Sequence, residues 1–247
     1  LIVETVKAQY DGGTFGELFF GGGAITFKLL KLRVLESIII NEKDPSLARL
    51  WNAVIKTPCR LRSGIRAVKP SVDLFLRSKD RVLRGVGSGL EALIVNRMSY
   101  GGRGVKANPQ GGLKQESKYK IDCRWKPDAL CRNVTTCHKL LYSVEIRGGK
   151  CHAEDYAAWF SHVDLMYLDP PYWEKGEGLY LHSFDGYEHE RLRRALSSRI
   201  NWILSYNNVD EVKLMYNGYH RQTGTTNGNG GFKEDSEILI TPWEMHQ

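Results

Sequence analysis

Apolar positions along the chain fall into short unbroken runs and longer periodic ones. Phe15 to Phe20, Ser37 to Ile40, Val163 to Leu168 and Asn201 to Tyr206 are runs of the first kind, each stopping at glycines, prolines or polar groups. Strands covered on both faces read this way, and Leu140 to Ile146 reads as a further return to the sheet. Ile25 to Leu32, the segment opened by Asp44 and Pro45, Ser71 to Arg77, Gly89 to Met98 and Tyr187 to Arg199 instead carry helical spacing. Asp44 is an acidic cap, and Pro45 lacks only an N–H that the first helical turn leaves unpaired anyway. Strands alternating with helices predict an α/β fold. The end of the chain, from Gly218 to Ile240, has the pattern of a hairpin around Asn-Gly repeats, with a tip that is disordered or touches a partner.

Composition adds direction to this frame. With 247 residues and 42% hydrophobic content the chain can bury a full core, as one large domain or one domain with an insertion. No apolar run approaches a membrane span, and Leu1 to Val6 lacks the charged start and apolar length of a signal peptide, so a cytosolic protein is expected. Five cysteines without a Cys-x-x-Cys pair fit free thiols in a reducing compartment. The formal net charge is +7, but residues 60–150 hold 20 Lys and Arg against 7 Asp and Glu, and the rest of the chain is net acidic. Such a concentration marks a phosphate-binding surface more than a solvated face of mixed sign. Cys123, Cys131, Cys137, His138, Cys151 and His152 lie within thirty residues, yet their spacings match no usual zinc pattern; buried thiols are the default.

The chemistry concentrates where the Val163 run breaks into Asp169, Pro170, Pro171 and Tyr172. Prolines cannot continue a ladder and hold the backbone nearly rigid beyond its end, where ligands of α/β proteins collect. The Asp169 carboxylate and the Pro170 carbonyl can converge on one NH2 group, and Tyr172 offers a face for a flat base. Two fixed acceptors would draw a delocalised amine toward a nucleophilic state, which is stabilisation aimed at a transition state. The plain alternative is a strand followed by a proline turn with a satisfied aspartate.

Four further features accompany it. Gly21, Gly22 and Gly23 turn between the first strand and the next helix, where backbone can approach a ligand closely. Glu42 lies 21 residues beyond Gly21 at the tip of the second strand, placed to bind ribose hydroxyls, or else it belongs to the helix start at Asp44. Asp155 sits in a turn before the central strand, where it can meet a cofactor base or cap a helix. The glycine-rich stretch from Ser99 to Gly112 is long for a connection inside a domain, and with Arg97, Ser99, Tyr100, Arg103 and Lys106 it offers guanidinium, hydroxyl, ring and ammonium groups for nucleic acid. An ordinary flexible loop is the alternative.

In this order, Phe19-Phe20-Gly21-Gly22-Gly23, Asn41-Glu42, Asn96-Arg97 with Ser99-Tyr100, Asp155-Tyr156, Asp169-Pro170-Pro171-Tyr172 and Ser205-Tyr206-Asn207-Asn208 resemble the Dam-type, class D12, DNA adenine N6-methyltransferases. The resemblance implies a Rossmann-like sheet in residues 1–58 and 140–247, interrupted by a mainly helical target-recognition insertion at 59–139. It implies S-adenosylmethionine held by Phe19, Phe20, Gly21 to Gly23, Glu42, Asp155, Tyr156 and Asp169, with Asp169, Pro170, Pro171 and Tyr172 catalytic. It further implies double-stranded DNA as partner, contacted by the residues of the 97–106 stretch and by Asn207. No metal is needed, and a monomer or weak dimer in the cytoplasm of a prokaryote or a phage-infected host is expected. The sequence departs from the family in lacking a lysine-bearing segment ahead of the glycine loop, Tyr10 to Thr14 being the nearest match. Leu18 stands where proline is usual, and Glu42 where aspartate is commoner. Methylation of RNA or another amine, and a silent DNA-binding protein of the same fold, are the competing readings.

Overall fold

A computed structural model describes residues 1–142, 145–148, 163–173, 184–197, 201–225 and 236–244. Asp155, Tyr156, Cys151, His152, the loop after Trp173 and the hairpin tip lie outside the described residues. The chain forms two compact units, residues 1–43 with 150–247, and residues 44–149.

The first unit is built on a sheet in which β1 (Thr14–Glu17) lies between β2 (Ser37–Glu42) and β4 (Leu165–Leu168), followed by β5 (Trp202–Asn207), β7 (Ser236–Thr241) and β6 (His220–Thr225). β1, β2, β4 and β5 run parallel, and the β6–β7 hairpin adds its strands antiparallel beyond β5. The sheet is therefore α/β, as the alternation of runs predicts. Strand order reverses between β1 and β4, which creates a crevice at their carboxyl ends. Register brings those ends level: Glu17 stands opposite Tyr167, and Leu168 opposite Leu204.

The runs become strands because each side chain of β4 and β5 is buried. One face packs as Met166, Leu168, Trp202, Leu204, Ile238 and Ile240 against α8 (Gly186–Ser197), whose His189, Leu192 and Leu196 recur at helical spacing. α1 (Ile2–Gln9) and α2 (Ala24–Lys31) pack on each other, and α9 (Asp210–Met215) leads into the hairpin. α1 has no counterpart among the sequence-read helices, since eight residues with one buried position give little periodic signal.

The second unit is mainly helical: α3 (Pro45–Lys56), α4 (Pro58–Ala67), α5 (Val72–Leu83), α6 (Gly89–Met98) and α7 (Pro127–Leu140), with the short β3 (Glu145–Gly148) at its end. Asp44 caps α3 by accepting from Ser46 N at 2.7 Å, and Ser88 with Glu91 forms a capping box on α6. α3 packs on α4, α6 and α7, so compactness assigns it to this unit. Leu140, expected to open a strand, instead ends α7. Leu130, Cys131 and Val134 bury one stripe of that helix, and the strand begins at Glu145. Two members of the cysteine and histidine cluster take part in the same packing: Cys131 is buried with Sγ donating to Arg62 O, and His138 Nδ1 lies 3.1 Å from Val54 O. No described helix is long and apolar enough to cross a membrane.

Candidate active site

The glycine side of the crevice is fixed by main-chain bonds. β1 stops at Glu17, three residues before the expected end, and the backbone of Leu18 to Gly23 folds over the sheet edge. Leu18 N donates to Tyr167 O at 3.3 Å, Phe20 N donates to Asn41 O at 3.1 Å, and Asn41 Nδ2 returns to Leu18 O at 3.1 Å. Gly21 N donates to Glu42 Oε2 at 2.9 Å. Loop and acid thus form one piece, with Glu42 at the tip of β2 and buried. Gly23 starts α2 at φ +63°, and a Cβ there would stand 2.4 Å from the Phe20 ring. At Gly21 and Gly22 a Cβ would meet nothing within 4 Å among the described residues, which leave open space along the outer edge of the loop.

Glu17 is a member of this site that the sequence reading passes over. It is 3% exposed at the end of β1 and accepts from Thr26 Oγ1 in the first turn of α2. Burial, then the neighbouring charges of Asp169 and Glu42, push its carboxyl up to about 8, against the pull of Thr26. No period or spacing in the sequence announces the pairing of Glu17 with Thr26, which forms because β1 and the first turn of α2 lie together.

The other wall is fixed by side chains. Asp169 follows β4, its Oδ1 accepting from Ser205 Oγ at 2.9 Å, and Ser205 stands 3.0 Å from the buried Tyr167 hydroxyl. Asp169 keeps an open surface, yet crowding by protein atoms desolvates its carboxyl and pushes it up to about 6; Ser205 opposes that rise and Glu237 adds to it. Pro170 is buried and Pro171 half-buried. Tyr172 is half-buried and donates from its hydroxyl to Glu237 Oε1 at 2.5 Å, while Asn207 Nδ2 donates to Trp173 O at 3.0 Å. Behind them Trp173, Phe184, His189 and Tyr206 make an aromatic wall, with ring centroids 4.9 to 5.5 Å from His189. Burial holds His189 down to about 4, so it is neutral near pH 7. Phe19 joins through Phe184 at 5.5 Å.

Phe19, Phe20, Gly21 to Gly23 and Glu42 share the end of β1 and β2, and Asp169 to Tyr172 share the end of β4 with Asn207 at the end of β5. Asn207 is buried and bonded to Trp173, so it holds that segment from within. Arg97, Ser99, Tyr100, Arg103 and Lys106 belong to the second unit. Tyr100, Arg103 and Lys106 are exposed there. Ser99 is fully buried, donating to Asn96 O and accepting from Gly104 N, and it shapes the loop without presenting its hydroxyl. Arg97 is half-buried, with Nε and Nη2 donating to Arg124 O. Burial first, then the nearby Arg124 charge, lowers its pKa. The stretch from Ser99 to Gly112 is tied down by the Ser99–Pro109 bridge and by Tyr100 N to Asn108 O at 2.8 Å.

A cavity of about 440 Å³ lies between α1, α2 and the β5–β7 strands, with Ile2, Ile25, Lys28, Ser205 and Glu237 in its walls. Its size suits a small ligand. It borders the Asp169 network through Ser205 and Glu237, whereas Gly21, Glu42 and Asp169 do not line it. The acids, the glycine loop and the aromatic wall meet in the bonded network of the crevice, outside this cavity.

Residues 1–84 match the family model of the D12 class N6 adenine-specific DNA methyltransferases. The matched stretch contains the glycine loop and Glu42, so methyl transfer is the class of chemistry that it supports. No curated protein matches the chain. Among solved structures, the chain is similar to the rRNA methyltransferase aviRa of Streptomyces viridochromogenes at 14% identity, covering 97% of this chain and 81% of that one with a TM-score of 0.42. It is also similar to the methyltransferase domain of bacterial CtHen1 at 11% identity, covering 97% and 95%, with a TM-score of 0.39.

Proposed function

We propose that this protein transfers the methyl group of S-adenosylmethionine to the N6 amine of an adenine in double-stranded DNA. The observation that carries the reading is the join of the glycine loop to Glu42 on one side of the β1–β4 crevice, with Asp169 held by Ser205 on the other. The open edge at Gly21 and Gly22, and the acid at the tip of β2, fit a nucleoside cofactor that carries no pyrophosphate. Phe19, Phe20, Gly21 to Gly23 and Glu42 would hold it. When bound, that cofactor supplies an electrophilic methyl on a sulfonium. Asp155 and Tyr156, assigned to the same cofactor by resemblance, lie outside the described residues.

The chain's own residues perform the rest. Ser205 fixes one oxygen of Asp169, so the carboxylate can accept an amine hydrogen in a set direction, with the Pro170 carbonyl as second acceptor. Tyr172 provides the ring on which the base stacks. Polarising the amine through its hydrogens and aligning it for in-line transfer are the two contributions asked of the protein. As the N–C bond forms, the methyl–sulfonium bond would break and the amine would give up one proton to water by way of the acceptors on its hydrogens. The match over residues 1–84 supports adenine in DNA as the acceptor. The basic excess in residues 60–150, with exposed Tyr100, Arg103 and Lys106, supports a polyanionic partner.

Thermal denaturation with millimolar S-adenosylmethionine, followed by transfer assays on DNA and RNA duplexes of one sequence, tests the reading. Stabilisation by cofactor and label in DNA are expected. Label confined to RNA would reassign the substrate, and DNA binding without cofactor stabilisation would support a silent DNA-binding protein.

A further inference from the structure

The segment that follows Asp169 is gripped from two strands, β5 and β7, of which β7 carries none of the motifs. Asn207 on β5 and Glu237 on β7 are direct partners in the antiparallel ladder. Residues so paired present their side chains on one face of a sheet. They reach two consecutive residues: Asn207 Nδ2 donates to Trp173 O at 3.0 Å, and Glu237 Oε1 accepts from the Tyr172 hydroxyl at 2.5 Å. One bond fixes the main chain just past the tyrosine, and the other fixes the far end of its ring. Ring and peptide are thereby held at two points about a residue apart, and a ring so held has lost the tilt that a single Cα–Cβ attachment would leave it.

We infer that Glu237 is a positioning residue for the target base, setting the plane of Tyr172 through a clamp it shares with Asn207. The inference rests on the proposed amine methylation and adds to it a residue 65 positions beyond the tyrosine. Glu237 touches neither the amine nor the methyl donor in this account. A misplaced stacking face moves the amine relative to the methyl donor, and small misplacements cost large factors in rate. Asn207 contributes the main-chain half of the clamp. Its own Oδ1 is buried and finds no hydrogen-bond partner among the described residues, so holding Trp173 is the polar work its side chain performs there.

The test compares wild type with Glu237→Ala, Glu237→Gln, Tyr172→Phe and the Glu237→Ala/Tyr172→Phe double variant. Three readouts are taken: cofactor dissociation constant, kcat for transfer to duplex DNA, and the fluorine NMR line of 3-fluorotyrosine placed at position 172 in the variants that keep Tyr172. Glu237→Ala is expected to shift and sharpen the fluorine line and to lower kcat at least roughly tenfold, with cofactor affinity within about twofold of wild type. Glu237→Gln retains an acceptor for the hydroxyl and restores most of the rate. The double variant is expected to be no slower than the worse single one, because both remove one bond. An unchanged fluorine line in Glu237→Ala overturns the inference, as does a released ring with full kcat, or losses that multiply in the double variant. If wild type itself transfers nothing to DNA while the ring is released on loss of Glu237, the clamp stands and the methylation reading falls.

Discussion

The two walls of the crevice are held in different ways. On the glycine side, Leu18, Phe20 and Gly21 are fixed by their own backbone groups, to Tyr167 O, Asn41 O and Glu42. On the proline side, Asp169, Tyr172 and Trp173 are fixed by side chains of Ser205, Glu237 and Asn207, which come from two later strands. A main-chain wall has a shape that depends on which residues can adopt it, hence on glycine. A side-chain wall depends on particular partners, and each of its bonds can be deleted singly.

That difference can be broken most sharply at Asp169. Asp169→Ala removes the acceptor at the reacting nitrogen and is expected to lower kcat by about 10²- to 10³-fold, the scale seen when a single transition-state hydrogen bond is lost, while cofactor binding is kept. Steady-state kinetics beside calorimetric cofactor titration separates the two. The glycine wall should respond in the opposite sense. Gly23→Ala places a Cβ into the Phe20 ring at a positive φ, so it is expected to cost more than about 1 kcal/mol of stability. Gly22→Ala, in open space, should leave melting unchanged and weaken cofactor binding alone.

A smaller effect sharpens the proline side. Asp169 must be ionised to accept from an amine, so the rate should fall as pH drops through about 6. Ser205 donates to that carboxyl and so favours its charged form; Ser205→Ala should therefore move the acid limb of the pH–rate profile upward. The last effect is read in stability against pH. Glu17 holds its proton in the folded state up to about 8, against 4.5 unfolded. Its contribution is complete below about 4.5 and is lost as pH rises through about 8, so Glu17→Gln should gain melting temperature over wild type progressively across that window.

The same contrast explains what could be read in advance. The glycine turn, the Asp44–Pro45 helix start and the Asp169–Tyr172 break are local: each is a residue type forced by the backbone at its own position, and the structure puts each where the pattern predicts. The α/β alternation was equally local, because β4 and β5 are buried throughout and read as unbroken apolar runs. Glu237 and Glu17 were not legible, since each acts through a partner that only the sheet brings near, Tyr172 across 65 positions and Asp169 across the β1–β4 ladder. Ser205 lies inside the Ser205 to Asn208 motif, yet its bond to Asp169 spans 36 positions and has no period or spacing to announce it. α7 is not legible for another reason: its cysteines and histidine carry no motif, and its buried stripe of Leu130, Cys131 and Val134 interrupts a strongly polar segment.

Digestion of duplex DNA after incubation with labelled S-adenosylmethionine, with wild type and Asp169→Ala in parallel, tests the central claim most directly. The account predicts label in N6-methyladenine from wild type and almost none from the variant. Label in another nucleoside, or equal label in N6-methyladenine from both proteins, would contradict it.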